Sequence, residues 1–284
     1  MGYLPFKAHR KWERPASITI REETDGSWWL SFSVTLENLP EVKKPEPASR
    51  VVGVDRGVVL PVATSDGRAF VMPEKQMVKM QRRQKRIEGL SRQLARQQKG
   101  SNRRARTKRK LAGAHRAQSQ SRKDFAHKTS HALVKDNPDV IVFEDLRLKN
   151  MTASGRGTAE APGRNVAQKS GLNRALLGRS LGQISLFTQY KARRRGILYD
   201  EVPAYGTSQE CSRCGFTSPK NRLTQAEFYC QACGFRAHAD HQAAGVVAGR
   251  WKRDHFPEQF WFVRAHAPPN PPLGTIGVRD AFRV

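Results

Sequence analysis

"VVGVDRGVVL", residues 51–60, is a run of small and β-branched apolar residues broken by Asp55 beside Arg56. The run predicts a buried strand with a carboxylate in its middle. An ionised Asp in apolar surroundings costs several kcal/mol unless it is paired or holds a metal. The rest of the chain must therefore supply a reason for Asp55.

Working outward, "LPVATSDGRAFVMP" predicts two more short strands around the turn dipeptide Asp66-Gly67, giving three consecutive antiparallel strands. Upstream, "SITIREETDGSWWLSFSVTL" at 17–36 predicts a β-hairpin turning at Asp25-Gly26. The stretch "PEVKKPEPAS" at 40–49, with three prolines, reads as a linker. From Gln76 to about Lys135 the pattern changes to helix, with Ile87, Leu90 and Leu94 at spacings of three and four. Gly100-Ser101 interrupts it, so a long helical hairpin is expected. "DVIVFEDL" at 139–146 predicts a second buried strand that ends in Glu144 and Asp145. Residues 152–170 are expected to form a mobile loop, "NRALLGRSLGQISLFTQYKARRRG" a single helix, "ILYDEVP" a strand, and "ADHQAAGVVAGRWKR" a helix of small residues. The tail beyond Trp251, with "APPNPP" at 267–272, reads as an appendage. No internal repeat is found.

Lys and Arg total 51 against 25 Asp and Glu, a net charge of +26, which is more than solubility requires and points to a polyanionic partner. No segment approaches the roughly 20 apolar residues of a membrane span, and the N-terminus lacks the apolar stretch of a secretory signal. An intracellular, cytoplasmic and nucleoid-associated protein is expected. Between Gln81 and Ala117 Glu88 is the one acid among many bases, a one-sided run better suited to nucleic acid than to a solvated helix. Arg82, Arg83, Lys85, Arg86, Arg103, Arg104, Arg106, Lys108, Arg109 and Lys110 are the candidate nucleic-acid contacts.

All four cysteines fall within one stretch. Cys211-x-x-Cys214 and Cys230-x-x-Cys233 are separated by 15 residues, the spacing of a four-thiolate structural zinc site. Gly215 and Gly234 permit the tight turn after each pair. Such a closed site has no open position, so its role is folding rather than chemistry. Asp55, Glu144 and Asp240 form a second constellation, since acids from two adjacent strands and one following helix can converge at a sheet edge. Converging carboxylates repel unless cations lie between them, and two Mg²⁺ ions would clamp the attacking and leaving oxygens of a phosphodiester. His238 and His241 flank Asp240 and are read as surface or supporting residues.

"VVGVDRGVVLPVATSDG", "VIVFEDL" and "TSQECSRCG…FYCQACGFRAHADHQAA" together resemble the three segments of the RuvC-type nuclease domain of TnpB proteins, RNA-guided DNA endonucleases encoded by insertion sequences and similar to the ancestors of type V CRISPR effectors. The resemblance runs from about Ser17 to Arg250. It implies an α/β, RNase H-like (RuvC) mixed sheet with an inserted helical hairpin and a zinc ribbon, preceded by the remnant of a β-barrel wedge domain. The implied domains are 1–49 for the wedge-like remnant and linker, 50–205 for the RuvC core with the basic hairpin at 74–135, 206–237 for the ribbon, 238–251 for the last RuvC segment and 252–284 for the tail. It also implies Asp55, Glu144 and Asp240 as ligands of two catalytic Mg²⁺ ions, structural Zn²⁺ on the cysteines, and guide RNA and target DNA as partners. Two departures stand out: the N-terminal half is shorter than usual, and Gln242 stands where the family tends to have Asn. Rival readings are a non-cleaving RNA- or DNA-binding regulator or accessory protein of a mobile element, and a cut-and-paste transposase.

Overall fold

The computed structural model describes residues 5–6, 14–35, 38–158 and 160–259. Leu36 of the expected hairpin and the proline-rich stretch at 267–272 lie outside them. The element order is β1 (Ser17–Glu22), β2 (Trp28–Ser33), β3 (Val51–Asp55), β4 (Val62–Thr64), β5 (Ala69–Phe70), α1 (Glu74–Arg96), α2 (Asn102–Lys135), β6 (Val140–Asp145), α3 (Leu148–Met151), α4 (Val166–Gly178), α5 (Leu181–Arg193), β7 (Leu198–Pro203), β8 (Glu227–Tyr229), β9 (Arg236–His238) and α6 (Ala239–His255). Among the described residues no helix is long and apolar enough to cross a membrane.

The chain divides into two compact units. One comprises residues 1–43, 71–137 and 152–197; the other comprises 44–70, 138–151 and 198–284. The first holds the β1–β2 hairpin, in register from Ser17 opposite Ser33 to Glu22 opposite Trp28. Gly26 closes its turn at φ 84°, a conformation that suits glycine. Arg116 of α2 ties this turn down with an ion pair to Asp25 at 2.6 Å and lies over the Trp29 ring. The two long helices meet at Ser101, whose hydroxyl accepts from Arg104 N at 3.2 Å and caps α2. The Arg104 guanidinium returns to Leu94 O and Gln97 O, carbonyls at the end of α1. In the second half of α2, Phe125, Ala126, Leu133 and Val134 are buried, as are Leu181, Ile184 and Ala192 of α5, which runs alongside.

Two expectations need correction in this unit. The stretch 173–196 is two helices, because Ser180 adopts a left-handed φ of 59° that ends the α-helical path after Gly178. Residues 166–170, expected in a loop, open α4.

The second unit is built on a five-stranded sheet in the order β5-β4-β3-β6-β7. Strands β3, β4 and β5 are antiparallel, whereas β6 and β7 run parallel to β3. This mixed order is RNase H-like, and β3 is central because its run of apolar residues suits burial on both faces. Asp55 ends β3 rather than interrupting it, so the run from Gly57 onward is turn rather than strand.

Side chains alternate across a strand, and that period of two decides which residues face α6. Val140 and Val142 of β6 cluster with Val202 of β7 and with Val247 and Trp251 of α6. Glu144, two residues past Val142, shares their face. On β3 the corresponding position is Gly53, where a Cβ would lie 2.1 Å from Ala244 O, so the helix backbone rests directly on the strand. Asp55 shares that face. At the far end of α6, Trp251 is fully buried and its indole N–H donates to Asp200 Oδ2 at 2.7 Å.

Candidate active site and metal centre

Three elements of the second unit deliver the acids. The parallel register pairs Val54 with Phe143, so Asp55 and Glu144 come next to each other at the carboxyl ends of β3 and β6. Open α/β sheets present their ligand sites at such carboxyl ends. Asp240 lies in the first turn of α6, whose cap is His238, accepting from Asp240 N at 3.3 Å. The His241 ring stands edge-on to that of His238 at 5.5 Å between centroids, with Nδ1 3.1 Å from Thr64 O.

Glu144 is 5% exposed although it stands near the end of its strand. Burial pushes its carboxyl up to about 10, reinforced by a hydrogen bond to Asp55 and by Asp55's charge. Asp240 is also buried, and desolvation followed by the charge of Asp55 raises it above the usual carboxylate range. Asp55 thus acts on both of the others. Thr207 approaches Glu144 Oε2 with its hydroxyl at 3.5 Å, while Glu144 Oε1 is buried with no hydrogen-bond partner. Two raised carboxyls beside Asp55 and an orphaned buried oxygen form a hard oxygen donor set of the kind that takes Mg²⁺. These residues fit divalent cations.

Residues that sequence reasoning missed complete the surroundings. Arg56 is 7% exposed, donates to Glu144 O and lies 5.0 Å from the Phe143 ring centroid, so it braces the strand end from beneath. Its position beside Asp55 was the available signal. Arg222 places Nη2 3.5 Å from Asp240 Oδ1 while the same nitrogen donates to Gln225 O at 2.9 Å. Nothing in the sequence around Arg222 marks it out.

The four cysteines converge as their spacing predicts, with all four sulfurs within 4.8 Å of one another. Among the described residues this is the one group of three or more metal-ligating side chains that meets so tightly; the three acids are more open. Two separations, 3.8 Å for Cys211 to Cys233 and 3.5 Å for Cys214 to Cys230, bracket the roughly 3.8 Å edge of a tetrahedron with Zn–S bonds of about 2.3 Å. The two knuckles repeat one pattern. Gly215 N donates to Cys211 O and Gly234 N to Cys230 O, with both glycines at positive φ. Burial pushes the Cys211 thiol up to about 11 and Cys214 in the same direction, so a dication is what would draw off their protons. The quartet has the spacing and geometry that fit a zinc-ribbon site.

The ribbon is fastened to α6. Gln242 is buried; its Oε1 accepts from Ser212 N at 2.9 Å and its Nε2 donates to Glu210 O. Glu210 in turn receives Arg250 at 2.8 Å and Arg253. The longer amide of Gln242 therefore spans from the helix to the first knuckle.

The ten candidate nucleic-acid residues divide on the two helices of the first unit. Arg83 is half-buried and donates to Ala117 O at 3.2 Å and Ser121 Oγ at 2.6 Å, and Arg104 serves as the helix cap described above. Arg82, Lys85, Arg86, Arg103, Arg106, Lys108, Arg109 and Lys110 are exposed.

Known proteins resemble the chain over two spans. The family OrfB_IS605, described as "Probable transposase", matches residues 31–155, and the "Cas12f1-like, TNB domain" family matches residues 182–247, the span that carries the cysteines and Asp240. The chain is similar to these two families over those spans. It is 36% identical over 245 residues to "Putative RNA-guided DNA endonuclease InsQ" of Escherichia coli (strain K12), covering 86% of this chain and 59% of that protein. A Streptomyces pristinaespiralis protein, "Putative RNA-guided DNA endonuclease", is 27% identical over 234 residues, covering 81% and 51%. The chain thus spans little more than half the length of these relatives. Among solved structures it is similar to a Cas12f1-sgRNA-target DNA complex at 18% identity and a TM-score of 0.47, covering 81% of this chain and 55% of that one.

Proposed function

We propose that this protein is an RNA-guided DNA endonuclease of TnpB type that hydrolyses phosphodiesters with two Mg²⁺ ions. The observation that carries the reading is the pairing of Asp55 with a buried Glu144 whose carboxyl is raised to about 10, since a nuclease centre gains from such a pair only when cations compensate it. Asp55, Glu144 and Asp240 hold the metal. Bound there, Mg²⁺ would lower the pKa of an attacking water and stabilise the leaving 3′-oxygen. Arg56 keeps the ends of β3 and β6 aligned, Thr207 orients Glu144, and Arg222 offsets the charge on Asp240. The names of the two curated relatives support guide RNA and target DNA as partners, with base pairing choosing the sequence and the basic helices holding the phosphate backbone.

The test is to sequence the RNA that travels with the purified protein, then assay cleavage of a matching DNA with and without Mg²⁺. Asp55→Ala should abolish cleavage and leave nucleic-acid binding largely intact. Equal loss of both, or DNA left uncut by the parent with its own RNA, would sink the catalytic reading in favour of a non-cleaving binder.

A further inference from the structure

Two cavities lie end to end between α1 and α2, sharing Arg83 and Ala117 on their walls; their volumes are about 480 Å³ and 300 Å³. Lys75, Lys79 and Arg83 line the larger, and Arg83, Arg86 and Lys110 the smaller, against the single acid Asp124. Neither wall carries an aromatic or a large aliphatic side chain, which is the wrong lining for an apolar small molecule. Lys75, Lys79, Arg86 and Lys110 are exposed, and none of them takes part in an ion pair among the described residues. Lys75 and Arg86 are separated by about 16 Å along the helix at about 1.5 Å per residue, a length that suits a short run of phosphates.

Gly113 adds an independent indication. It sits inside α2, where glycine costs about 1 kcal/mol relative to alanine. Like Gly89 on α1, it has open space where a Cβ would stand, with nothing within 4 Å among the described residues. The space it leaves is the floor of the smaller cavity. Among the described residues no neighbour accounts for that glycine, whereas a strand lying in the groove does.

We infer that the groove between α1 and α2 is a binding track for the sugar-phosphate backbone of one nucleic-acid strand, with Lys75, Lys79, Arg86 and Lys110 on the phosphates and Gly113 keeping the floor open. This rests on the reading of the chain as a nucleic-acid-binding protein and sharpens it: the groove cations matter more than the others on the same helices.

The experiment measures binding of fluorescent 20-nucleotide oligo(U) and oligo(dT) to the full chain across a salt series. The groove triple Lys79→Gln, Arg86→Gln, Lys110→Gln is compared with a control triple of equal charge, Arg92→Gln, Lys99→Gln, Lys123→Gln, and with Gly113→Leu, which fills the floor and keeps every charge. The groove triple should lose about tenfold more affinity than the control and flatten the salt slope by about 2, given roughly 0.7 per phosphate on a single strand. Gly113→Leu should also bind more weakly. Oligo(U) and oligo(dT) responding together identify the shared backbone, and either responding alone identifies which strand the groove takes. Equal losses in the two triples, or parental affinity in Gly113→Leu, would overturn the groove while leaving a nucleic-acid-binding protein in place. A parent that binds neither strand would end both readings.

Discussion

Arg222, on a loop of the zinc ribbon, holds its guanidinium 3.5 Å from the carboxylate of Asp240 in the first turn of α6. Together with the His238 cap it is the attractive influence on an acid that burial and Asp55 otherwise push toward the neutral form. The ribbon therefore helps keep the third acid charged.

Arg222→Ala should lower Mg²⁺-dependent cleavage on the order of tenfold, the usual scale for groups that support a metal ligand, without altering zinc content. Zinc quantified alongside cleavage rates checks this. A tenfold loss accompanied by loss of zinc would instead mean that Arg222 serves the ribbon's fold.

Glu144 makes stability depend on pH. Its folded-state carboxyl is raised from 4.5 to about 10, so the stability it contributes is present in full below the unfolded value and is lost as pH rises toward 10. In Mg²⁺-free buffer the unfolding free energy of the parent minus that of Glu144→Gln should fall steadily from pH 5 to pH 9, at a rate of at most about 1.4 kcal/mol per pH unit. Added Mg²⁺ should reverse the trend for the parent alone. A difference that stays flat with pH would show that Glu144 ionises freely.

Cys214→Ser should remove zinc and with it much of the roughly 10 to 16 kcal/mol that a four-thiolate site supplies. Cleavage should disappear as well, although no cysteine is among the three acids. The link is Gln242, held by Ser212 N and Glu210 O two residues beyond Asp240. Hydrogen exchange at residues 239–243 should accelerate in Cys214→Ser; unchanged exchange there would uncouple ribbon from site.

Gly53→Ala puts a Cβ 2.1 Å from Ala244 O and 2.7 Å from Ala248 N, both backbone atoms that cannot swing aside. Destabilisation of about 3 kcal/mol or more is expected, by thermal or denaturant unfolding, at the upper end for overpacking. Gly245→Ala, whose Cβ would meet only the Ser212 side chain at 3.2 Å, should be far milder.

Much of the second unit was legible because its signals are local. A continuous apolar run marks a strand buried on both faces, and paired Cys-x-x-Cys motifs mark a ribbon whatever lies around them. What escaped was set by distant partners. The sequence "VFEDL" cannot say that Glu144 is buried, since its cover comes from β3 and from Thr207. Arg222 carries no motif, and its meaning lies in reaching Asp240 from a loop 18 positions earlier, which only the folded ribbon arranges. In the first unit, the apolar spacing from Leu176 to Phe187 looks continuous, yet the backbone breaks at Ser180 so that Leu176 and Leu181 are both buried on either side of the turn. Arg83 and Arg104 resembled their neighbours in sequence and differ from them only in having carbonyls within reach.

The pairing of Val54 with Phe143 carries one more consequence. Because facing alternates at every residue, sliding β3 against β6 by one position would turn Asp55 or Glu144 to the opposite side of the sheet, and sliding by two would separate them along it. Assembly of the centre is therefore all-or-nothing. A misaligned chain holds no weakened version of the site, and a centre whose acids meet only in the finished sheet is absent until folding is complete.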